Sequence, residues 1–251
     1  MNSFDPARLL VSRALAHAAA ACLFALLTVA PALAQPVDLA LVLAVDGSSS
    51  IDNDEFDLQV RGYAAAFRHP AVAEAILGGK RGAILVTYFQ WGAPTGQFVA
   101  VPWTRLDSAQ AIEAFASRIA GQDRKIYGGG TAIGGAIAFG RKLIEQAGEG
   151  DWRRVIDISG DGVNYRGPEP AAVREDAVAA GITVNGLPIL SEVPELDDYF
   201  RRFVIGGPGA FVVPVAKFAD FPQAVLNKLV REIAGRDDFS GTALAQEIPR
   251  R

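Results

Sequence analysis

Short apolar runs alternate with longer amphipathic segments between residues 36 and 235. The apolar runs have the length and composition of strands and lie at Asp38–Asp46, Gly82–Gln90, Gln97–Trp103, Arg154–Ser159, Ile182–Ile189 and Ala210–Val215. The segments between them have helical periodicity and lie at Asp54–Arg68, Ser108–Ala120, Ala132–Ala147, Pro170–Ala180, Glu195–Ile205 and Asp220–Ala234. Such alternation is typical of a mostly parallel sheet with helices on both faces. The pattern therefore predicts one doubly wound, Rossmann-like α/β domain over residues 36–235.

Individual residues in these segments predict local detail. Leu39–Val45 contains only Leu, Val and Ala, so it predicts a strand buried on both faces of the sheet. Gln97–Trp103 contains Pro102, whose missing backbone N–H favours a position at the edge of the sheet. Gly181 and Gly235 directly follow helical segments and are expected to end those helices.

The first 34 residues have the pattern of a secretory signal peptide. Arg8 and Arg13 precede an apolar stretch at Ala18–Ala30, and Ala32-Leu33-Ala34 supplies an A-x-A cleavage site. The stretch is shorter than the ~20 residues that a membrane-spanning helix needs. We therefore expect cleavage after Ala34, a periplasmic or secreted protein, and no stable membrane span after cleavage.

Composition and charge narrow the classes of function. The chain of 251 residues has a formal net charge of −4, and its Lys and Arg residues form no block longer than two, so a nucleic-acid partner is not expected. Its single Cys, Cys22, lies in the predicted signal peptide. The mature chain would then keep His69 but no Cys, which excludes the usual Cys/His zinc sites. Residues 236–251 lack periodicity and are expected to form a disordered tail.

The segment Asp46-Gly47-Ser48-Ser49-Ser50 directly follows the first apolar run. A carboxylate and two hydroxyls in the spacing D-x-S-x-S put hard oxygen donors at the carboxyl end of a strand, where open α/β sheets bind ligands. Such donors suit a hard divalent cation, Mg²⁺ above all. Taken alone, the motif is equally compatible with a turn or a helix N-cap, because Asp and Ser are common at both.

Two further segments are expected at the same edge of the sheet. Gly128-Gly129-Gly130-Thr131 precedes a helical segment, and its glycines let the backbone approach a ligand that the Thr131 hydroxyl can reach. This turn lacks the Lys of a phosphate-binding P-loop. Val155–Gly162 is an apolar run that ends with Asp161 between two glycines. Asp161 alone is equally compatible with a turn, but the three segments together favour a ligand site.

In these segments the chain resembles the von Willebrand factor A domain family and its metal-ion-dependent adhesion site (MIDAS). The match lies in Asp46, Ser48 and Ser50 for D-x-S-x-S, Thr131 for the distant threonine, and Asp161 for the final aspartate. It spans roughly residues 37–234 and looks like an exported bacterial branch of the family. One departure is Gly160, where many members carry Thr.

The resemblance implies a metal-dependent binding function. The three hydroxyls would contact a divalent cation directly, and the two carboxylates would act largely through water. Mg²⁺ is expected, Mn²⁺ is an alternative, and Ca²⁺ is disfavoured by the small number of carboxylates. Neutral hydroxyls leave the charge of the ion poorly compensated, so we expect a secreted or periplasmic module that binds an Asp or Glu carboxylate of a protein partner.

Four residues near the motifs are candidate contacts with that partner. Trp91 ends the second apolar run, before Gly92-Ala93-Pro94, and is a candidate for an exposed contact near the metal face. Asn164, Tyr165 and Arg166 follow Asp161 on one loop, where they are candidate rim contacts or loop-stabilising groups.

The main alternative is a metal-dependent hydrolase that acts on phosphate esters with the same acidic strand ends. Phosphatases with a nucleophilic Asp usually carry a second Asp two residues on, where Ser48 stands here. A Ser-His-Asp triad would need His69, and the chain has no G-x-S-x-G turn. An intracellular adaptor for an AAA-type ATPase is disfavoured by the predicted signal peptide. The sequence therefore predicts a binding protein without catalytic residues.

Overall fold

The computed structural model describes residues 35–235, which form a five-stranded sheet and the helices that pack on it. The strands are β1 (Leu39–Asp46), β2 (Ile84–Trp91), β3 (Gln97–Leu106), β4 (Arg153–Gly160) and β5 (Thr183–Pro188). The α-helices are α1 (Asn53–Arg68), α2 (Pro70–Leu77), α3 (Ala109–Ala120), α4 (Ile133–Gln146), α5 (Pro170–Ala179), α6 (Leu196–Tyr199) and α7 (Phe221–Ala234). The predicted signal peptide and C-terminal tail lie outside the described residues.

The sheet confirms the predicted fold class. Its strand order is β3-β2-β1-β4-β5, and β3 alone runs antiparallel to its neighbour. From β1 the strand order proceeds to β2 and β3 on one side and to β4 and β5 on the other. The carboxyl ends of β1 and β4 therefore meet at the point where the direction of winding reverses, which is the usual ligand position in such sheets.

Two hydrophobic cores lie on opposite faces of the sheet. Every residue of β1 is buried, and its side chains alternate between the cores, as the unbroken apolar run predicts. One core packs β1 against α1, α2, α3 and α7 through residues such as Phe56 and Phe221. The other core packs it against α4, α5 and α6 through residues such as Ile137 and Leu196. β1 is thereby fixed from both sides, and so is the residue at its end, Asp46.

The helix ends follow their local chemistry. At the start of α1, Asp52 Oδ1 accepts the backbone N–H of Glu55 at 2.8 Å, and Glu55 Oε2 accepts the backbone N–H of Asp52 at 2.9 Å. This reciprocal capping box fixes the first turn of the helix that follows the D-x-S-x-S motif. Gly181 and Gly235 have φ angles of +74° and +63°, which confirms their predicted role at helix ends. Within residues 35–235, no helix is long and apolar enough to cross a membrane.

Three elements differ from the sequence predictions. Residues 210–215 are not a strand; they run beside β5 and make only the isolated bridges Gly186–Val212 and Ile189–Val215. The predicted helix at Glu195–Ile205 divides into α6 and a π-helix at Phe200–Val204. Helix α2 was not predicted, because its eight residues give too few turns for a periodic pattern.

Both edges of the sheet are irregular. The antiparallel strand β3 forms one edge, as Pro102 predicts, and its register against β2 shifts between Val86 and Phe89. Pro102 is exposed on this strand. At the other edge, residues 206–215 lie along β5 and accept or donate hydrogen bonds at several points without forming a continuous ladder.

Candidate metal centre

The adjacent strands β1 and β4 bring Asp46 and Asp161 to one point. Asp46 is the last residue of β1, Asp161 directly follows β4, and Val45 pairs with Ser159 in the register between them. Both carboxyl groups are completely buried. Asp46 Oδ1 accepts the backbone N–H of Ser48 at 2.7 Å, whereas the Oδ2 atoms of Asp46 and Asp161 have no hydrogen-bond partner. A buried carboxylate oxygen without a donor is energetically costly, so these two atoms mark a place where a cation would be stabilising.

The serine hydroxyls of the motif lie beside these carboxylates. Ser50 Oγ donates to Asp161 Oδ1 at 2.7 Å, and Ser48 Oγ lies 3.2 Å from Ser50 Oγ. The loop after β1 thus links its two serines to the loop after β4. Ser48 is buried and Ser50 is exposed, so the hydroxyls extend from the interior to solvent.

The glycine-rich loop carries Thr131 to the same place. Gly128, Gly129 and Gly130 have φ angles of +73°, +87° and +90°. Residues other than glycine rarely adopt such left-handed backbone conformations. The carbonyl of Thr131 accepts the backbone N–H of Tyr165 at 2.8 Å, which ties this loop to the one after Asp161. A β-carbon placed on Gly162 would lie 3.7 Å from Thr131 Oγ1, so the hydroxyl faces the residue next to Asp161.

Burial and mutual repulsion shape the electrostatics of the carboxylates. Desolvation, with repulsion from Asp161, raises the pKa of Asp46 from its ordinary 3.8 to about 7, against the hydrogen bond from Ser48. Desolvation also raises the pKa of Asp161, although Ser50 donates to it. In the described part of the chain, no Lys or Arg side chain forms an ion pair with either residue. The centre therefore holds negative charge that the chain itself does not neutralise.

The donors fit a hard divalent cation. Within residues 35–235, no three or more His, Cys, Asp or Glu side chains gather in a way that could hold a metal ion. A cation at this centre would therefore depend on two carboxylates together with the hydroxyls of Ser48, Ser50 and Thr131. All of these donors are oxygens, the ligand type that Mg²⁺ and Mn²⁺ prefer.

Two further residues, which the sequence analysis did not identify, hold the loops in place. Arg124 donates from Nη2 to the carbonyls of Gly47 and Ser48 at 3.1 and 2.7 Å, and thereby clamps the D-x-S-x-S loop. Gln59 on α1 donates from Nε2 to the carbonyl of Asp46 at 3.0 Å. Gln59 is polar on the buried face of an amphipathic helix, which is a detectable signal. Arg124 lies in an aperiodic loop, and nothing in the sequence distinguishes it.

The predicted rim residues differ in their exposure. Trp91 is 0% exposed, so the prediction that it contacts a partner is wrong; its ring belongs to the core on the α4 face. Asn164 stabilises the loop, because its Oδ1 accepts the backbone N–H of Gly134 at 3.1 Å and its Nδ2 donates to Pro168. Tyr165 and Arg166 are both exposed beside the centre.

Gly160, where many members of the resembled family carry Thr, lies next to the ring of Trp91. A β-carbon placed on Gly160 would lie 2.8 Å from Asp46 Oδ2 and 3.1 Å from the ring of Trp91. The Trp91 ring thus occupies space next to Gly160, and a Thr at position 160 would need this ring to move.

The comparisons with known proteins agree with this architecture. Residues 36–237 match a family model described as "Protein of unknown function (DUF1194)". No curated protein has a sequence that matches the chain. Proximal thread matrix protein 1 from the mussel byssus, with a zinc-occupied MIDAS motif, is 20% identical with a TM-score of 0.55, over 79% of this chain and 48% of that one.

Two more solved structures have the same fold. The pilus adhesin SpaC from Lactobacillus rhamnosus GG is 15% identical with a TM-score of 0.58, over 80% of this chain and 30% of that one. The von Willebrand factor type A protein from Catenulispora acidiphila is 16% identical with a TM-score of 0.52, over 80% of this chain and 43% of that one. The chain thus spans about half or less of these proteins, and at such identities the likeness concerns the fold alone. The chain belongs to the DUF1194 family, and its fold is that of a von Willebrand factor A domain.

Proposed function

We propose that this protein is an exported binding module that engages an Asp or Glu carboxylate of a protein partner through a divalent cation. The observation that carries the proposal is the pair of buried carboxylate oxygens, Asp46 Oδ2 and Asp161 Oδ2, which lack any hydrogen-bond donor. A bound cation would compensate their charge. Mg²⁺ is the metal that we expect, with Mn²⁺ as the alternative.

The hydroxyl ligands would leave the bound cation able to attract a carboxylate of a partner. Ser48, Ser50 and Thr131 would hold the cation directly, while the carboxylates would support them through hydrogen bonds such as the one from Ser50 to Asp161. Neutral ligands leave most of the positive charge of the ion uncompensated. A cleft of about 480 Å³ opens beside Ser50 and Thr131, so a carboxylate from another molecule has room to approach.

The relatives support a divalent cation and are compatible with protein binding. The mussel protein has zinc in its MIDAS motif, and SpaC is a pilus adhesin. Their names place one in the mussel byssus and the other on a pilus, which is compatible with the proposed export of this chain. The export itself rests on the predicted signal peptide, whose cleavage after Ala34 would be checked by N-terminal sequencing of the mature protein.

Thermal unfolding with and without metal tests the centre. At about 100-fold above Kd, Mg²⁺ should stabilise the protein by roughly 2.7 kcal/mol, and EDTA should remove the effect. Asp46→Ala should abolish the rise in Tm, whereas Asp151→Ala, at a fully exposed carboxylate, should retain it. Acetate or glutamate added at millimolar concentration should raise Tm further only when the metal is present.

Two results would contradict the proposal. If the Tm of the wild-type protein does not rise with metal, with or without acetate, the centre does not bind a metal ion. Mg²⁺-dependent hydrolysis of p-nitrophenyl phosphate that is lost in Asp46→Asn would instead favour the phosphatase-like alternative.

A further inference from the structure

The surface around the candidate metal centre contains the most exposed aromatic residues of the described chain. Tyr165 and Tyr127 are 73% and 70% exposed, and Val163 on the same loop as Tyr165 is 41% exposed. Tyr127 lies on the loop that carries Thr131, and Tyr165 on the loop that follows Asp161. Single exposed apolar residues are ordinary, but exposed tyrosines on two adjacent ligand loops are typical of a contact surface.

Each of these tyrosines has an arginine over its ring. The guanidinium of Arg124 lies 5.1 Å from the Tyr127 ring centre, and that of Arg166 lies 5.7 Å from the Tyr165 ring centre. The two arginines differ in their other bonds. All three guanidinium nitrogens of Arg124 donate hydrogen bonds, to backbone carbonyls that include those of Gly47 and Ser48 and to the Asn53 side chain. Among the described residues, the Arg166 side chain has neither a hydrogen bond nor an ion pair, so its donors are free for a partner.

Charge is distributed unevenly around the centre. The cleft beside Ser50 and Thr131 includes one charged side chain in its described lining, Arg166, and no carboxylate. Glu55 and Glu192 lie outside this lining; burial raises the pKa of Glu55, and repulsion from Asp52, Asp161 and Glu192 adds to that rise. An acidic segment that reaches the centre is therefore attracted toward Arg166 and repelled from Glu55 and Glu192.

We propose that Arg166 is a second anchor, so that the partner is an acidic peptide segment with two carboxylates, one for the metal ion and one for Arg166. This inference rests on the proposed function. The exposed ring of Tyr165 supplies a flat surface for the chain between the two acids. The planar guanidinium can bind the second carboxylate through two parallel N–H donors. Arg166 would thus select acidic pairs over a single acid.

Selection from a displayed library of random 12-residue peptides tests this inference. Wild-type protein in Mg²⁺ should enrich peptides with two acidic residues within about four positions, and EDTA should release them. For the best synthetic peptide, Arg166→Gln should weaken binding about 10-fold, which corresponds to about 1.4 kcal/mol. Arg141→Gln, on the distant half of α4, is the matched control and should leave binding unchanged. Arg166→Glu should instead enrich peptides with a basic residue in place of the second acid.

The outcomes separate the second anchor from the metal bridge. Metal-dependent peptides with one acid, bound equally well by Arg166→Gln, would overturn the second anchor and leave the proposed function intact. Enrichment that is unaffected by EDTA and by Asp46→Ala would overturn both. Binding of polygalacturonate in preference to every peptide, with loss in Arg166→Gln, would overturn the peptide assignment and point to an acidic polysaccharide.

Discussion

The protein buries carboxylates at two places in its sheet and compensates their charge differently. In the closed cluster, formed by Asp157 on β4 with Lys228 and Glu232 on α7, the Lys228 Nζ lies 2.6 Å from Asp157 Oδ1 and 2.5 Å from Glu232 Oε1. In the open pair, formed by Asp46 and Asp161, the neighbouring polar side chains are hydroxyls, and no cationic side chain within residues 35–235 forms an ion pair with either carboxylate. One place contains its own cation, and the other does not.

The difference separates a structural cluster from a candidate functional site made of the same residue type. The closed cluster joins α7 to the sheet, and Asn185 on β5 strengthens it by donating to Glu232 Oε1 at 2.8 Å. Lys228 is completely buried there and balances one of the two carboxylates, while burial and repulsion from Glu232 raise the pKa of Asp157 to about 7, so that a shared proton can balance the rest without a ligand. The open pair lies beside a cleft, where an ion from solution can enter. Charge compensation, rather than burial alone, therefore distinguishes the candidate site from the core.

The largest expected effect comes from removing the internal cation. Lys228→Met leaves Asp157 and Glu232 buried without a countercharge, and we expect a loss of about 3–5 kcal/mol in the free energy of unfolding. Urea denaturation measures this loss, with the exposed Lys217→Met as the control. Adding Asp157→Asn and Glu232→Gln to Lys228→Met should restore much of the stability, because no charge is then left buried. Equal effects of the two lysine substitutions would refute this view of the closed cluster.

Neutralising the open pair should have the opposite sign. Without metal at pH 8, Asp46→Asn removes a buried charge that nothing balances, so we expect the variant to be more stable than wild type by about 2 kcal/mol. In saturating Mg²⁺ the order should reverse, since the variant loses a carboxylate of the centre. The measurement is urea denaturation in EDTA and in Mg²⁺. A variant that is less stable in both conditions would show that the Asp46 carboxylate is balanced by the chain itself.

The last effect is the pH dependence of the open pair in EDTA, which is the smallest of the three when it is expressed per pH unit. The pKa of Asp46 is raised from 3.8 to about 7 by burial, so between those values the folded protein binds more protons than the unfolded chain. Stability is then greatest at low pH and falls as pH rises toward 7, by up to about 1.4 kcal/mol per pH unit for this group. The difference in unfolding free energy between wild type and Asp46→Asn should grow with pH in this range. A difference that stays constant from pH 5 to pH 8 would contradict the raised pKa.

The sequence was sufficient to predict the two strands that position the open pair. The apolar runs at Leu39–Val45 and Val155–Gly162 identify two buried parallel strands, and parallel strands place their carboxyl ends at one edge. The distance between Asp46 and Asp161 along the chain is therefore no obstacle to predicting that they meet. The strand order, however, depends on helix packing and could not be obtained from any single segment.

Other features depend on tertiary contacts that leave no local pattern. Lys228 occupies a position on α7 that reads as a solvated charge, because its partner Asp157 lies on a distant strand. Trp91 follows a buried run and precedes a turn, so its sequence context is the same for an exposed ring and for one packed beside Gly160. Residues 210–215 have strand-like composition, but their hydrogen bonds to β5 are too few to make a ladder.

The irregular edges of the sheet bear on how copies of this protein behave at high concentration. An unprotected strand edge offers free N–H and C=O groups to another chain and promotes aggregation. Here the exposed Pro102 interrupts the donors of β3, and residues 206–215 cover part of the edge of β5. Backbone pairing between copies of this protein is thus disfavoured at both edges of the sheet. Under the proposed function, association would take place at the carboxyl ends of the strands, where side chains rather than strand edges would decide the partner.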